Sequence, residues 1–220
     1  MTLEDALGPL NEVERVHAPQ HLFVAGDLSL LRRKPKVAIV GSRRATQDGV
    51  RRAARLARIL VEHGAVVVSG LARGIDTAVH RATMDAGGRT IGVIGTSLDQ
   101  VYPRENEALQ REIAAKHALL SQFPPDHPTR PANFPMRNRT MALLCDASVI
   151  VEAAGTSGSL SQGWEALRLG RTLFLMASIV ERTDLSWPKT MIEYGAEVLR
   201  DPVDLLEALP LGEDLPVVSF

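Results

Sequence analysis

Four short segments carry residues able to hold an anion: Gly41-Ser42-Arg43, Ser69 to Asp76 (Ser-Gly-Leu-Ala-Arg-Gly-Ile-Asp), Gly95-Thr96-Ser97 and Gly155 to Ser159. Glycine lets a backbone approach a phosphate closely, and Ser or Thr hydroxyls donate to its oxygens. Arg43 and Arg73 add guanidinium groups, whose forked donors match a phosphate at two points. Within these segments Gly41, Ser42, Arg43, Ser69, Gly70, Arg73, Gly95, Ser157, Gly158 and Ser159 are the phosphate-site candidates. Ser42, Ser69 and Ser159 read as phosphate donors rather than nucleophiles, since no Ser-His-Asp set can be assigned. A fifth segment, Phe134-Pro135-Met136-Arg137-Asn138-Arg139, offers a ring face for stacking a base, with Arg137, Asn138 and Arg139 as polar donors. The same residues serve equally as scaffold, with Pro135 opening a helix, Asn133 near its cap and the arginines paired to surface acids. Asp76 and His80 lie one helical turn apart. One Asp and one His are too few for a metal site, and they read as a hydrogen-bonded pair bracing the loop that contains Asp76.

These segments must be positioned by the elements between them. Val37 to Val40 is a β-branched run bounded by Pro35 and Gly41, the pattern of a fully buried strand. Thr46 is placed to cap an amphipathic helix running to about Glu62, so strand, glycine turn and helix N-terminus together form an anion site. The pattern repeats. Strands are predicted at Ala65–Val68, Thr90–Ile94, Ala118–Gln122, Ser148–Val151 and Thr172–Met176, with helices between them and a Pro-rich loop from Phe123 to Pro135. His21 to Asp27 reads as a brief edge strand, and Val203–Leu209 as a terminal helix. Strands alternating with helices require parallel pairing. The fold class is therefore α/β: a doubly wound, mostly parallel sheet with helices on both faces and ligands at the carboxyl ends of its strands. The expected division is residues 1–30 as an N-terminal extension with a short strand, 31–200 as the main domain and 201–220 as a C-terminal helix and tail.

The 220 residues are 45% hydrophobic and 23% charged with net charge -1, which excludes a uniformly basic nucleic-acid binder. Any such function must come from a local patch. Arg32 to Arg58 supplies one, with ten basic residues against the single acid Asp48. The lone cysteine, Cys145, gives neither a disulfide framework nor a metal cluster. No signal segment or membrane-spanning run is evident, so a cytoplasmic protein is expected. Neither Gly-x-Gly-x-x-Gly nor a Walker sequence is present, and no cofactor is expected.

In order along the chain, Leu22 to Asp27, Val40-Gly-Ser-Arg43, Ser69 to Asp76 with His80, Thr90 to Ile94 followed by Tyr102-Pro103, Phe134 to Arg139 and Ser157 to Leu160 resemble the DNA-processing protein A family (DprA/Smf). The match runs from about residue 20 to 177. It departs from the family pattern at Leu160-Ser-Gln-Gly-Trp164 and at Met176-Ala-Ser-Ile179. The resemblance implies an extended Rossmann core that binds single-stranded DNA without catalysis, protects incoming DNA in natural transformation, assists loading of the RecA recombinase and forms a homodimer. It places Arg43, Phe134, Arg137 and Arg139 on the DNA, over a pocket of glycines and serines. Two other functions share the superfamily: a nucleotide sensor, and a LOG-like phosphoribohydrolase whose catalytic echo here is Gly155-Thr156 with Glu165.

Overall fold

The structure, a computed structural model, describes residues 1–155 and 157–210. Eight strands form one sheet in the order β1-β5-β4-β3-β2-β6-β7-β8. They are β1 (Phe23–Gly26), β2 (Lys36–Gly41), β3 (Val66–Ser69), β4 (Thr90–Ile94), β5 (Ala118–Ser121), β6 (Ala147–Glu152), β7 (Thr172–Met176) and β8 (Glu197–Leu199). Only β1 runs antiparallel, along β5, and the other neighbours are parallel. This is the expected α/β architecture, and every strand predicted from the sequence is present to within two residues.

Alternation along the central strands divides the core into two layers. Ala38 and Val40 of β2 join one cluster, while Val37 and Ile39 join the other. The first layer is covered by α1 (Leu3–Leu7), α6 (Asn133–Leu144), α7 (Ser159–Arg168), α8 (Ala177–Val180) and α9 (Trp187–Glu193). The second is covered by α3 (Gln47–Glu62), α4 (Ile75–Asp85) and α10 (Pro202–Ala208). A smaller cluster beside β4 packs under α5 (Glu107–Lys116). The remaining helix, α2 (Glu12–His17), follows α1, and short 3-10 turns cover Leu28–Leu31 and Arg104–Asn106. Leu3, Ala6 and Leu10 of the N-terminal segment are buried in the same cluster as the α6 residues Ala142 and Leu143. The expected tail from residue 211, and Thr156, lie outside the described residues.

One helix boundary differs from expectation. α6 begins at Asn133, so Pro135 is its third residue rather than its first, and Ala132 occupies the cap. A proline in the first turn removes only an N–H that has no partner within the helix, so the helix starts earlier than the proline signal suggested.

The chain winds outward from β2 through β3 and β4 to β5, then returns to lay β6 on the other side of β2. The strand order therefore reverses between β2 and β6, and in open parallel sheets the crevice at such a point is where ligands bind.

Candidate functional site

A cleft of 590 Å³ opens at this switch point, between the loop after β2 and the loop after β6. Its walls include Gly41, Ser42, Arg43 and Arg44 on one side and Ser157, Gly158 and Ser159 on the other, with Asp76, Phe134, Arg137 and Asn138 also contributing. The structure thus brings together nine of the predicted site residues with one of the two predicted brace residues. Ser69, Gly70, Arg73, Gly95 and Arg139 lie outside the cleft wall.

The β2 loop is fixed by the chain itself. The Ser42 amide donates to the Glu152 carbonyl at 2.7 Å, and the Arg44 amide to the Ser42 hydroxyl at 3.1 Å. Thr46 caps α3 as predicted, accepting from the Gly49 amide at 3.0 Å. The α3 N-terminus is nevertheless not a free anion site. The Glu152 carboxylate already accepts from the Thr46 amide at 2.9 Å and from the Thr46 hydroxyl at 2.5 Å. The protein supplies its own anion where the sequence pattern suggested a phosphate. What the loop leaves free at the cleft is the pair of exposed arginines, Arg43 and Arg44.

Three of the glycines are explained by packing. A Cβ on Gly41 would lie 2.6 Å from Ile75, one on Gly70 would lie 2.6 Å from the Arg137 guanidinium, and one on Gly95 would lie 2.8 Å from the Phe134 ring. Gly70 and Gly95 thus make room for Arg137 and Phe134 and act on the site through them. At Gly155 and Gly158 an added Cβ would meet nothing within 4 Å, so of the four candidate loops the β6 loop has described glycines with open space beside them. Beside them the Ser157 and Ser159 hydroxyls bond each other at 2.6 Å, at the start of α7. Ser69 is no phosphate donor, because its buried hydroxyl donates to the Ile39 carbonyl at 2.7 Å.

The α6 constellation divides into a half-buried ring and a buried clamp. Arg137 is 6% exposed, donating to the Gly70 and Val93 carbonyls at 2.5 Å each and to Asn138 Oδ1 at 3.0 Å. Its pKa is lowered to about 10, chiefly by burial and also by the nearby Arg43 charge, with Asp76 opposing both. Arg137 remains charged at neutral pH, with its Nε donor spent on Asn138 and its Nη1 donors on the Gly70 and Val93 carbonyls. Asn138 ties α6 to the Gly158 carbonyl at 3.2 Å. Arg139 donates to Glu165 at 2.9 and 3.3 Å. Glu165 also accepts from Arg168 at 2.8 Å, so both arginines pair it, and it is not among the residues that line the cleft. Arg73 pairs with Glu105 on the surface.

Phe134 stands at the cleft mouth. Arg43 lies over its ring at 5.7 Å from the centroid, within the reach of a cation–π contact. Tyr102 tilts against the same ring at 5.3 Å and 50°, and is 47% exposed. Tyr102 and Arg44 are wall residues that sequence reasoning passed over. In the sequence Tyr102-Pro103 stands out only as part of a family motif, and Arg44 only within a basic run.

Asp76 and His80 brace the β3 loop separately rather than as a pair. Asp76 accepts from the Ala72 amide at 3.3 Å. Burial pushes its carboxyl above the ordinary range, against the pull of Arg137 and of the Ala72, Gly41 and Gly70 amides. His80 Nδ1 lies 2.7 Å from the Thr90 hydroxyl, which donates onward to the Val67 carbonyl at 2.8 Å. The proton therefore sits on Nδ1, and burial drives the ring's pKa to about 3. Asn106, also unforeseen, holds the same loop by donating to the Leu71 carbonyl and Thr77 hydroxyl at 2.9 Å each. This permits Leu71 its left-handed φ of 58°. Among the described residues no group of three or more His, Cys, Asp or Glu could hold a metal. No described helix is long and apolar enough to cross a membrane.

The profile of the DNA recombination-mediator protein A family matches residues 2–210, nearly the whole described chain. The chain belongs to that family. It is 38% identical over 192 residues to the DNA processing protein DprA of Bacillus subtilis, covering 87% of this chain and 65% of that protein. The X-ray structure of DprA from Streptococcus pneumoniae superposes with a TM-score of 0.80 at 38% identity, over 88% of this chain and 68% of that one. A DNA processing protein A from Helicobacter pylori, described for its single-stranded DNA binding mode, superposes with a TM-score of 0.77 at 31% identity, over 94% of each chain. The chain spans about two thirds of the Bacillus relative and 55% of the Escherichia coli protein Smf.

Proposed function

We propose that this member of the DNA recombination-mediator protein A family binds single-stranded DNA in the switch-point cleft, without chemistry on the strand. The observation that carries the reading is Arg43 poised 5.7 Å over the Phe134 ring at the mouth of the cleft. A phosphate taken by Arg43 lies next to a ring on which its base stacks, and neither contact reads sequence. Ser157, Ser159 and the open backbone at Gly158 receive the next phosphate, at the N-terminus of α7. By the same reading, the Helicobacter relative's strand-binding mode extends to this chain. The RecA partnership and homodimer implied by the family belong to the proposal, as does service in natural transformation.

The test is a titration of fluorescent single-stranded oligonucleotide across salt, competed with nucleoside monophosphates. Tight, salt-sensitive binding that Arg43→Ala weakens uniformly across sequences is expected. Displacement by a mononucleotide at equal affinity would return the site to a small-nucleotide sensor.

A further inference from the structure

The basic surface does not end at the cleft. Arg44 lines the cleft wall, and α3 begins three residues later. Arg51, Arg55 and Arg58 are all exposed and recur at spacings of four and three, along one line of that helix. The opposite face, Ala53, Leu56, Ala57 and Leu60, is buried, so the arginine line points to solvent.

Its charges are arranged differently from those of α5. There, Arg111 pairs with Glu107 and Lys116 with Glu112, each at the favourable four-residue spacing. In α3 Arg51 and Arg55 stand four apart with like charge, a spacing that disfavours an isolated helix. Asp48 takes Arg51, and Arg52 leans toward Glu152 at 3.9 Å. Among the described residues, no carboxylate lies within ion-pair distance of Arg43, Arg44, Arg55 or Arg58. The helix thus keeps a line of like charges that packing does not require, and two of its three arginines, Arg55 and Arg58, have no carboxylate partner among the described residues. The line lies on the helix that follows the cleft residue Arg44.

We infer that the outer face of α3 carries the phosphodiester backbone of the same single strand as it emerges past Arg44. This rests on the single-stranded DNA reading above. Arg51 to Arg58 spans about 10 Å of helix axis, enough for about three phosphates at the stacked rise of ~3.4 Å per nucleotide.

The experiment is Arg55→Gln/Arg58→Gln, which removes charge while keeping good helix formers. Affinity is measured against salt for a strand of about 4 nucleotides and one of about 16, bracketing the common site sizes. Each phosphate contact to a single strand contributes ~0.7 to the log–log salt slope. The double variant should therefore lose about 1.4 from the slope on the long strand and nothing on the short one, with its urea midpoint unchanged. Arg43→Ala should lower affinity for both. An unchanged slope on the long strand, or an equal loss on the short one, would overturn the α3 track while leaving cleft binding intact. Failure of the unmodified protein to bind either strand would overturn the cleft reading and the track with it.

Discussion

Arg137 separates a scaffold from a ligand contact more sharply than any other residue of the cleft. Its replacement by Met keeps the length and apolar stem of the side chain and removes three charge-assisted hydrogen bonds, to Gly70, Val93 and Asn138. The two carbonyls at the ends of β3 and β4 are then left without this donor, and Asp76 loses the cation that opposes its desolvation. Breaking a buried charged network from one side costs about 3–5 kcal/mol, a large part of the ~5–15 kcal/mol that holds a domain together. Urea unfolding followed by fluorescence should show that loss as a lower midpoint. A pH signature should accompany it. The Asp76 carboxyl titrates above its ordinary value in the folded chain, so its neutral form is favoured by folding. Its contribution is present at low pH and is lost as pH rises through the folded-state value. Without Arg137 that value rises further, and the variant's deficit should grow toward neutral pH. A loss of stability below about 1 kcal/mol, accompanied by a tenfold or greater loss of oligonucleotide affinity, would refute the argument and return Arg137 to the ligand.

Three other perturbations test neighbouring parts of the site. Phe134→Ala should cost about 1–3 kcal/mol of strand binding. Gly95→Ala should lose part of the same amount, because its methyl would displace the ring now 2.8 Å away; the two losses should fail to add when combined in oligonucleotide titrations. His80, whose pKa of about 3 lies below its reference of 6.5, favours folding in its neutral form. Stability should be full above pH 6.5 and fall by about 1.4 kcal/mol per pH unit as pH drops toward 3, and urea midpoints of His80→Asn should lack that slope. Glu152→Gln should cost about 1–2 kcal/mol by weakening the anchor of Thr46, again read from the urea midpoint.

The framework was readable because it depends on period and punctuation. Val37–Val40, Thr90–Ile94 and Thr172–Met176 are runs that only a buried strand accommodates, and their order implies a parallel sheet with its loops on one edge. The switch between β2 and β6 was not readable, since nothing local states which neighbour a strand chooses. Side-chain allegiance was equally hidden. Arg137 and Arg139 sit two residues apart in the same motif, yet one turns inward onto strand ends and the other pairs with Glu165 on the next helix.

The glycines show why composition alone misassigns an anion site. Glycine after a strand announces that something comes close to the backbone, without saying whether it is a ligand or the protein. Here Gly41 admits Ile75, Gly70 admits Arg137 and Gly95 admits Phe134, while Gly155 and Gly158 admit only solvent. The helix N-terminus next to Gly41 likewise holds the protein's own carboxylate, Glu152. The first glycine loops are therefore means of packing the cleft's side chains: Phe134 rests on Gly95, Arg137 rests on Gly70, and Arg43 leans over Phe134. That leaves Arg43 and Arg44, the Phe134 ring with Tyr102 against it, and the β6 loop as the groups free to meet a strand. Such a surface has cations and rings at its mouth and a buried, already bonded floor. It suits a chain of phosphates and bases held along its length better than a single nucleotide enclosed and turned over.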